Sequence, residues 1–256
     1  MTSGLNGIQS VDRAVSVLEI LARASEGVGV GEIAAELGVH KSTASRLLSV
    51  LEERDLVEQD GERGKYSLGF GVLRLASAVL GRLDLVGRAR DVLQDVAATV
   101  GETVNIAVLR SHWAVNVDQV RGPAAVAAQN WTGQLTPLHA TSSGKVLLAH
   151  ESTTSRSRLI AAAGLARFTR HTHTTAAAVL AELDRIVEVG YAVALEEYED
   201  GLNAVAAPIR DHTRAVIASI SVSAPAFRLD LARIEEIVPE LQDAARRVSE
   251  RLGHLD

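Results

Sequence analysis

A chain of 256 residues with 47% hydrophobic and 23% charged side chains is long enough for two domains and apolar enough to bury real cores, which excludes wholesale disorder. Aromatics are only 3%, so the cores are built from Ala, Val, Leu and Ile, and the absence of Cys excludes disulfides and thiolate metal sites. The net charge of −6 does not announce a nucleic-acid partner. No stretch approaches the ~20 apolar residues of a membrane span, and the opening Met1-Thr2-Ser3-Gly4-Leu5-Asn6 lacks the basic and apolar regions of a secretory signal. The expectation is a cytoplasmic protein with no membrane partner.

Residues 1–8 read as a frayed tail, with Ser10 as the N-cap of a helix over 11–24 whose stripe is Ala14, Val17, Leu18 and Leu21. A short helix over 30–37 ends at Gly38, where a left-handed residue belongs, and a third helix follows over 41–53. The period then changes. Leu56-Val57-Glu58-Gln59 and Lys65-Tyr66-Ser67-Leu68 are strands around the turn Asp60-Gly61-Glu62-Arg63-Gly64. A hairpin placed straight after two helices and a tight turn is a wing.

Residues 72–83 predict a connecting helix, and 85–100 another that opens the second half. Strands follow at 103–109 and 114–120, then a long loop carrying Gly122, Pro123, Trp131, Gly133 and Pro137. Helices are expected at 144–150, 155–163 and 175–189, strands at 191–196, 204–209 and 215–222, and a last helix over 230–252. The fold class is α+β: a winged helix-turn-helix over 1–70, a linker helix over 71–84, and a mixed sheet flanked by helices over 85–256.

The decisive run is Glu32 to Leu48. Ile33, Leu37, Val39, Ala44 and Leu47 pack the helical pair. Ser42, Thr43, Ser45 and Arg46 are left outward at the start of the second helix, the position that meets base edges in the major groove. Arg46 suits guanine, and Lys41 beside the helix N-terminus suits phosphate. Arg63 and Lys65 in the wing reach toward backbone or minor groove, and Arg13 in the first helix joins the candidate DNA contacts. Residues 1–82 carry nine Lys and Arg against eleven Asp and Glu, a balance of −2, which counts against DNA binding unless the cations share one face.

Three stretches resemble the IclR family of bacterial regulators: Ser10-Val11-Asp12-Arg13-Ala14; Gly38 to Leu48 with Tyr66-Ser67-Leu68-Gly69; and, in the second half, Pro137 to Lys145 with Gly190 to Glu197 and Gly201 to Pro208. The resemblance spans essentially the whole chain. It implies a GAF-like second domain that binds a small-molecule metabolite effector. It also implies homodimers through the amino-terminal domains and linker helix, often tetramers, and palindromic or near-palindromic double-stranded operator DNA. The positions matching the family's effector pocket are Ser142, Ser143, Gly144, Ala194, Ala204, Ser221 and Ser223. Members that bind small oxo-acids often carry an acid where Ala194 stands and Cys where Ala204 stands. The two alanines imply a roomier, less polar pocket for a larger ligand, with hydroxyls from Ser221 and Ser223 and a wall from Trp131.

Other candidates carry less. Ser142-Ser143-Gly144-Lys145 matches Ser-x-x-Lys but lacks the companion motifs of serine acyl-enzymes, and Val146 after the Lys excludes a P-loop. His171 and His173 sit in a polar loop with no third ligand nearby, and His139 reads as packed. Glu196-Glu197-Tyr198-Glu199-Asp200 reads as a solvated strand end; the alternative is that Glu197 holds the turn before Gly201 as a structural acid. No catalytic, metal or cofactor site is expected. The alternative is a small-molecule-binding or protein-interaction protein whose winged helix no longer binds DNA.

Overall fold

The structure is a computed structural model that describes residues 3–24, 26–60, 64–80, 84–123 and 130–254. The chain divides into two compact units, Met1–Leu83 and Asp84–Asp256.

The first unit is a three-helix core with a small sheet. It holds α1 (Ser3–Arg23), α2 (Val30–Glu36) and α3 (Lys41–Glu52). Val17, Ile20 and Leu21 of α1 meet Ile33 and Ala34 of α2 and Ala44, Leu48 and Leu51 of α3. The three- and four-residue spacings place each set on one helix face. Glu32 accepts from the Gly29 N–H at 2.8 Å, closing one orphan donor at the α2 N-terminus. Gly38 follows at φ +63°, with nothing within 4 Å of where a Cβ would stand, so backbone conformation selects glycine there. The wing strands β1 (Val57–Gln59) and β2 (Tyr66–Leu68) pair antiparallel with Val57 opposite Leu68, and α4 (Phe70–Leu80) follows.

Two features differ from the sequence expectation. Helix α1 starts at Ser3, so Ser10 lies inside it and is not its N-cap. Val28 also pairs with Tyr66, with N–H···O distances of 2.9 and 2.8 Å, adding a bridge beside the hairpin. A one-residue bridge at Val28 is too short for a strand period to announce it. The wing turn at 61–63, with Arg63, and the predicted helix end at 81–83 lie outside the described residues.

The second unit opens with α5 (Asp84–Val100), then β3 (Thr103–Arg110), β4 (Trp113–Val120), β5 (Leu135–Pro137), α6 (Ser142–Ala149), α7 (Thr153–Ala163) and α8 (Ala176–Val189). It closes with β6 (Ala192–Leu195), β7 (Leu202–Arg210), β8 (Val216–Pro225) and α9 (Leu231–Arg251). The six strands run in the order β5-β4-β3-β8-β7-β6. Every pairing is antiparallel, not mixed as expected from the sequence. The short β5, which the long loop concealed, pairs with β4 through Pro137 opposite Trp113.

Helix α6 lies along the sheet, touching β3, β4, β6, β7 and β8, with α7 and α8 packed on it. Helices α5 and α9 pack on each other and on β3, β4, β7 and β8. The apolar seam of α9, including Ile234, Ile237, Leu241, Ala245 and Val248, is buried there, as expected for a helix packed on its own sheet.

Candidate DNA-reading helix and ligand cavity

The first turns of α3 present Lys41, Ser42, Ser45 and Arg46 as exposed side chains, while Thr43 is half-buried and Ala44 fully buried. Neither Lys41 nor Arg46 makes an ion pair among the described residues. By contrast Arg23 pairs with Glu36 at 2.8 Å, Arg74 with Asp55 at 3.2 Å and Lys65 with Glu26 at 3.5 Å. Three of the five other described cations of this unit are thus held by acids, while Lys41 and Arg46 keep their charges uncancelled. A unit of net charge −2 thus carries a local basic face. Arg13 is half-buried on α1.

In the second unit a cavity open to solvent lies between the sheet and the N-terminus of α6, with about 490 Å³ of empty space when its open mouth is included. Its floor crosses the sheet. Asn116 comes from β4, Asn105 from β3, Ser221 and Ser223 from β8, Ala204 from β7 and Ala194 from β6. Register explains the set, because Asn105 stands opposite Ser221, Ser223 opposite Ala204, and Ala204 opposite Ala194. Ser142 and Ser143 of α6 form one wall, and Trp131 with Tyr198 another, their ring centroids 6.1 Å apart. Burial raises the Tyr198 phenol above its ordinary range, so it stays neutral.

Thr141 caps α6. Its Oγ1 accepts from the Gly144 N–H at 3.2 Å and donates to the Pro137 carbonyl at 2.8 Å. The N–H groups of Ser142 and Ser143 sit in the first turn, where no intrahelical acceptor exists. Of the eight positions matched to the effector pocket or its wall, seven line this cavity. Gly144 is the exception. A Cβ there would come within 2.6 Å of Leu138 Cα and 2.7 Å of the Pro137 oxygen, so it faces the β5–α6 loop and sets how closely the helix approaches.

Sequence reasoning missed Asn105, Asn116 and Tyr198. A polar Asn inside the apolar run Thr103-Val104-Asn105-Ile106-Ala107-Val108 was the available signal.

Lys145, one residue on, is 1% exposed, and its Nζ donates to Glu182 at 2.7 Å, Glu197 at 2.5 Å and the Val193 carbonyl at 3.0 Å. The ammonium is fully engaged, which leaves Ser142 without a base and closes the Ser-x-x-Lys reading. Burial nonetheless raises the Glu197 carboxyl above the usual range, against the lowering pull of Lys145. Glu197 is therefore a buried ion-pair partner and not a solvated strand end. The turn before Gly201 is held by Glu196, whose Oε2 accepts from the Gly201 N–H at 2.7 Å. Three potential ligands, His173, Glu182 and Glu197, come within 4.8 Å of one another, a grouping the sequence did not announce. Lys145 supplies the cation that the two carboxylates hold. His139 is buried, its Nε2 3.0 Å from the Ala166 carbonyl, as expected for a packed loop residue.

A helix-turn-helix with a hairpin wing, joined in one chain to an α+β unit with a neutral cavity, defines a winged-helix regulator with a ligand-holding second unit. Residues 10–61 match the IclR helix-turn-helix domain, and residues 77–250 match the bacterial transcriptional regulator IclR C-terminal domain. The chain is 34% identical to the HTH-type transcriptional repressor AllR of Salmonella typhi, over 96% of this chain and 91% of that protein. It is 31% identical to the HTH-type transcriptional regulator XynR of Escherichia coli strain K12, over 96% and 98%. An IclR homologue from Microbacterium hydrocarbonoxydans, solved with 4-hydroxybenzoate, shares 28% identity and a TM-score of 0.82 over 95% of this chain and 98% of its own.

The chain belongs to the IclR family, and it is a DNA-binding transcriptional regulator. Among the described residues no helix is long and apolar enough to cross a membrane.

Proposed function

We propose that this protein reads operator DNA with the α3 N-terminus and holds a small metabolite in the cavity beside α6, whose occupancy tunes operator affinity. The observation that carries the reading is the pair of exposed cations, Lys41 and Arg46, which make no ion pair among the described residues and sit together in the first turns of the second helix of a helix-turn-helix. Arg46, Ser42, Thr43 and Ser45 serve base edges, and Lys41, Lys65, Arg63 and Arg13 serve the phosphate backbone. The 4-hydroxybenzoate held by the Microbacterium homologue supports a metabolite as the second ligand. The functional division is a DNA-binding domain over 1–70, a linker helix over 71–84 and an effector domain over 85–256.

The protein acts in the cytoplasm, without catalysis, as a homodimer or a tetramer on a near-palindromic site. Exposed apolar side chains on α1 (Val11, Val15) and α4 (Phe70, Leu73, Leu75) support pairing of two amino-terminal units. Effector control is then linkage: a metabolite that binds two operator-spacing states unequally shifts their populations.

Gel-shift binding of the purified protein to its own promoter region, with salt and competitor DNA varied, tests the DNA half of this reading. Saturable, competitor-resistant shifts that Arg46→Ala abolishes, with the fold intact by circular dichroism, support it. Shifts insensitive to Arg46→Ala favour the alternative suggested by the −2 balance, a winged helix that binds protein.

A further inference from the structure

We propose that Asn105 reads a hydrogen-bond donor on the cavity's ligand, and that the ligand is a flat aromatic carboxylate carrying a ring hydroxyl or amine. This rests on the reading of the cavity as the effector site and adds to it a ligand class and a specificity residue.

Asn105 is 3% exposed and lines the cavity floor. Its Nδ2 donates to Ser223 Oγ at 3.2 Å, while its Oδ1 is buried without a partner among the described residues. A buried acceptor without a donor is costly, so the site favours a ligand that brings one. The opposite requirement comes from α6. The N–H groups of Ser142 and Ser143 and the positive end of the helix face an acceptor, and a carboxylate suits both. Among the described residues no Lys, Arg or His lines the cavity, and residues 124–129 carry no ionisable side chain. A cation would meet the wrong end of the helix dipole.

Trp131 and Tyr198 also line the cavity, apolar faces that suit a planar ring. Ala194 and Ala204 put only methyl groups on the β6–β7 side of the floor, which leaves that side open to a ring. The Trp131–Tyr198 wall and the Asn105 acceptor are independent observations that converge on one molecule, an aromatic acid carrying a donor.

Calorimetry on the full chain tests this with matched probes: benzoate, 3- and 4-hydroxybenzoate, and their methoxy counterparts, which lack the donor. One hydroxybenzoate isomer is expected to bind the unmodified protein about tenfold more tightly than benzoate and than its own methoxy analogue. In Asn105→Leu, checked for folding by circular dichroism, that hydroxyl advantage should vanish while benzoate affinity stays within about threefold. A merely structural Asn105 would weaken all probes alike, which overturns the proposal. So does an unmodified protein that binds benzoate and hydroxybenzoate equally, or that binds none of the series. Ala204→Trp fills the floor separately. If it leaves probe affinity untouched, the ligand sits elsewhere, and the effector-site reading falls with the proposal. Loss of binding in Ala204→Trp with an unchanged hydroxyl preference in Asn105→Leu overturns the role of Asn105 alone.

Discussion

Lys145 and Glu197 face each other across the packing of α6 on the end of β6, with side chains 1% and 8% exposed. Glu182, 21% exposed, holds the same ammonium from α8. The hydroxyls of Thr169 and Thr172 donate to backbone carbonyls at 196 and 197 at 2.6 and 2.7 Å, fixing the same corner from the 164–175 loop. Tyr198, the next residue, is a cavity wall, so this buried charge group also positions part of the site.

Removing the lysine should leave two carboxylates facing each other without a counter-ion. Lys145→Met is expected to destabilise the second unit by about 3–5 kcal/mol. Glu197→Gln should cost less, because Glu182 still neutralises the lysine. Denaturant unfolding of the two variants checks the order, and Glu197→Gln proving the more damaging would refute this account of the group.

The α3 cations should separate by role. Arg46→Ala should weaken the preferred operator by about 1–3 kcal/mol and relax preference at one base position. Lys41→Ala should weaken all DNA sequences alike and lower the salt-dependence slope by about one unit. Binding curves at several salt concentrations on specific and random DNA distinguish the two. Identical behaviour of the variants would mean that neither residue reads a base.

Helix and strand positions were largely legible because their periods differ. The stripe Val17, Ile20, Leu21 and the alternation in β8 each fit one structure only. Two kinds of feature were not legible. Val28 and β5 pair through one or three residues, too short for a period to emerge. The Lys145 group joins α6, α8 and the end of β6 across 52 positions of sequence, and no local pattern encodes such a meeting. The cavity was half visible. Ser142, Ser143, Ala194 and Ala204 came from the resemblance, whereas Asn105 needed strand register to bring it beside Ser221, and Asn116 needed the pairing of β4 with β3 to join the same sheet.

His139 gives the second unit a dependence on acid. Burial lowers its imidazole below the ordinary 6.5, against the raising effect of the Ala166 carbonyl, and the positive charges of Lys145 and His173 push the same way as burial. A depressed folded value means that the neutral ring is favoured in the native state. The associated stability is present above 6.5 and is lost as pH falls through the folded value. His150, half-buried and lowered for the same main reason, acts in the same window. The melting temperature of the protein should therefore drop between about pH 7.5 and about pH 5.5. His139→Gln should show a smaller drop than the unmodified chain. Equal drops in calorimetric scans would assign the acid sensitivity to other groups.

Gly144 and Gly38 make a final pair, since glycine is required at each for a different reason. At Gly144 an added Cβ meets the Leu138 Cα at 2.6 Å and the Pro137 oxygen at 2.7 Å, both backbone atoms that cannot rotate away. The β5–α6 loop or the start of α6 must shift, and overpacking of this kind costs about 1–3 kcal/mol. Because Ser142 and Ser143 sit on the displaced turn, Gly144→Ala should also weaken ligand binding. At Gly38 the space is empty and only the backbone, at φ +63°, resists. Gly38→Ala should cost about 1–2 kcal/mol of left-handed strain in the first unit, leave ligand binding unchanged and weaken operator binding only if the α2–α3 turn rearranges. Measuring urea midpoints, ligand affinity and operator affinity for both variants separates the cases. A Gly144→Ala protein with full ligand affinity would show that the α6 N-terminus does not contact the ligand.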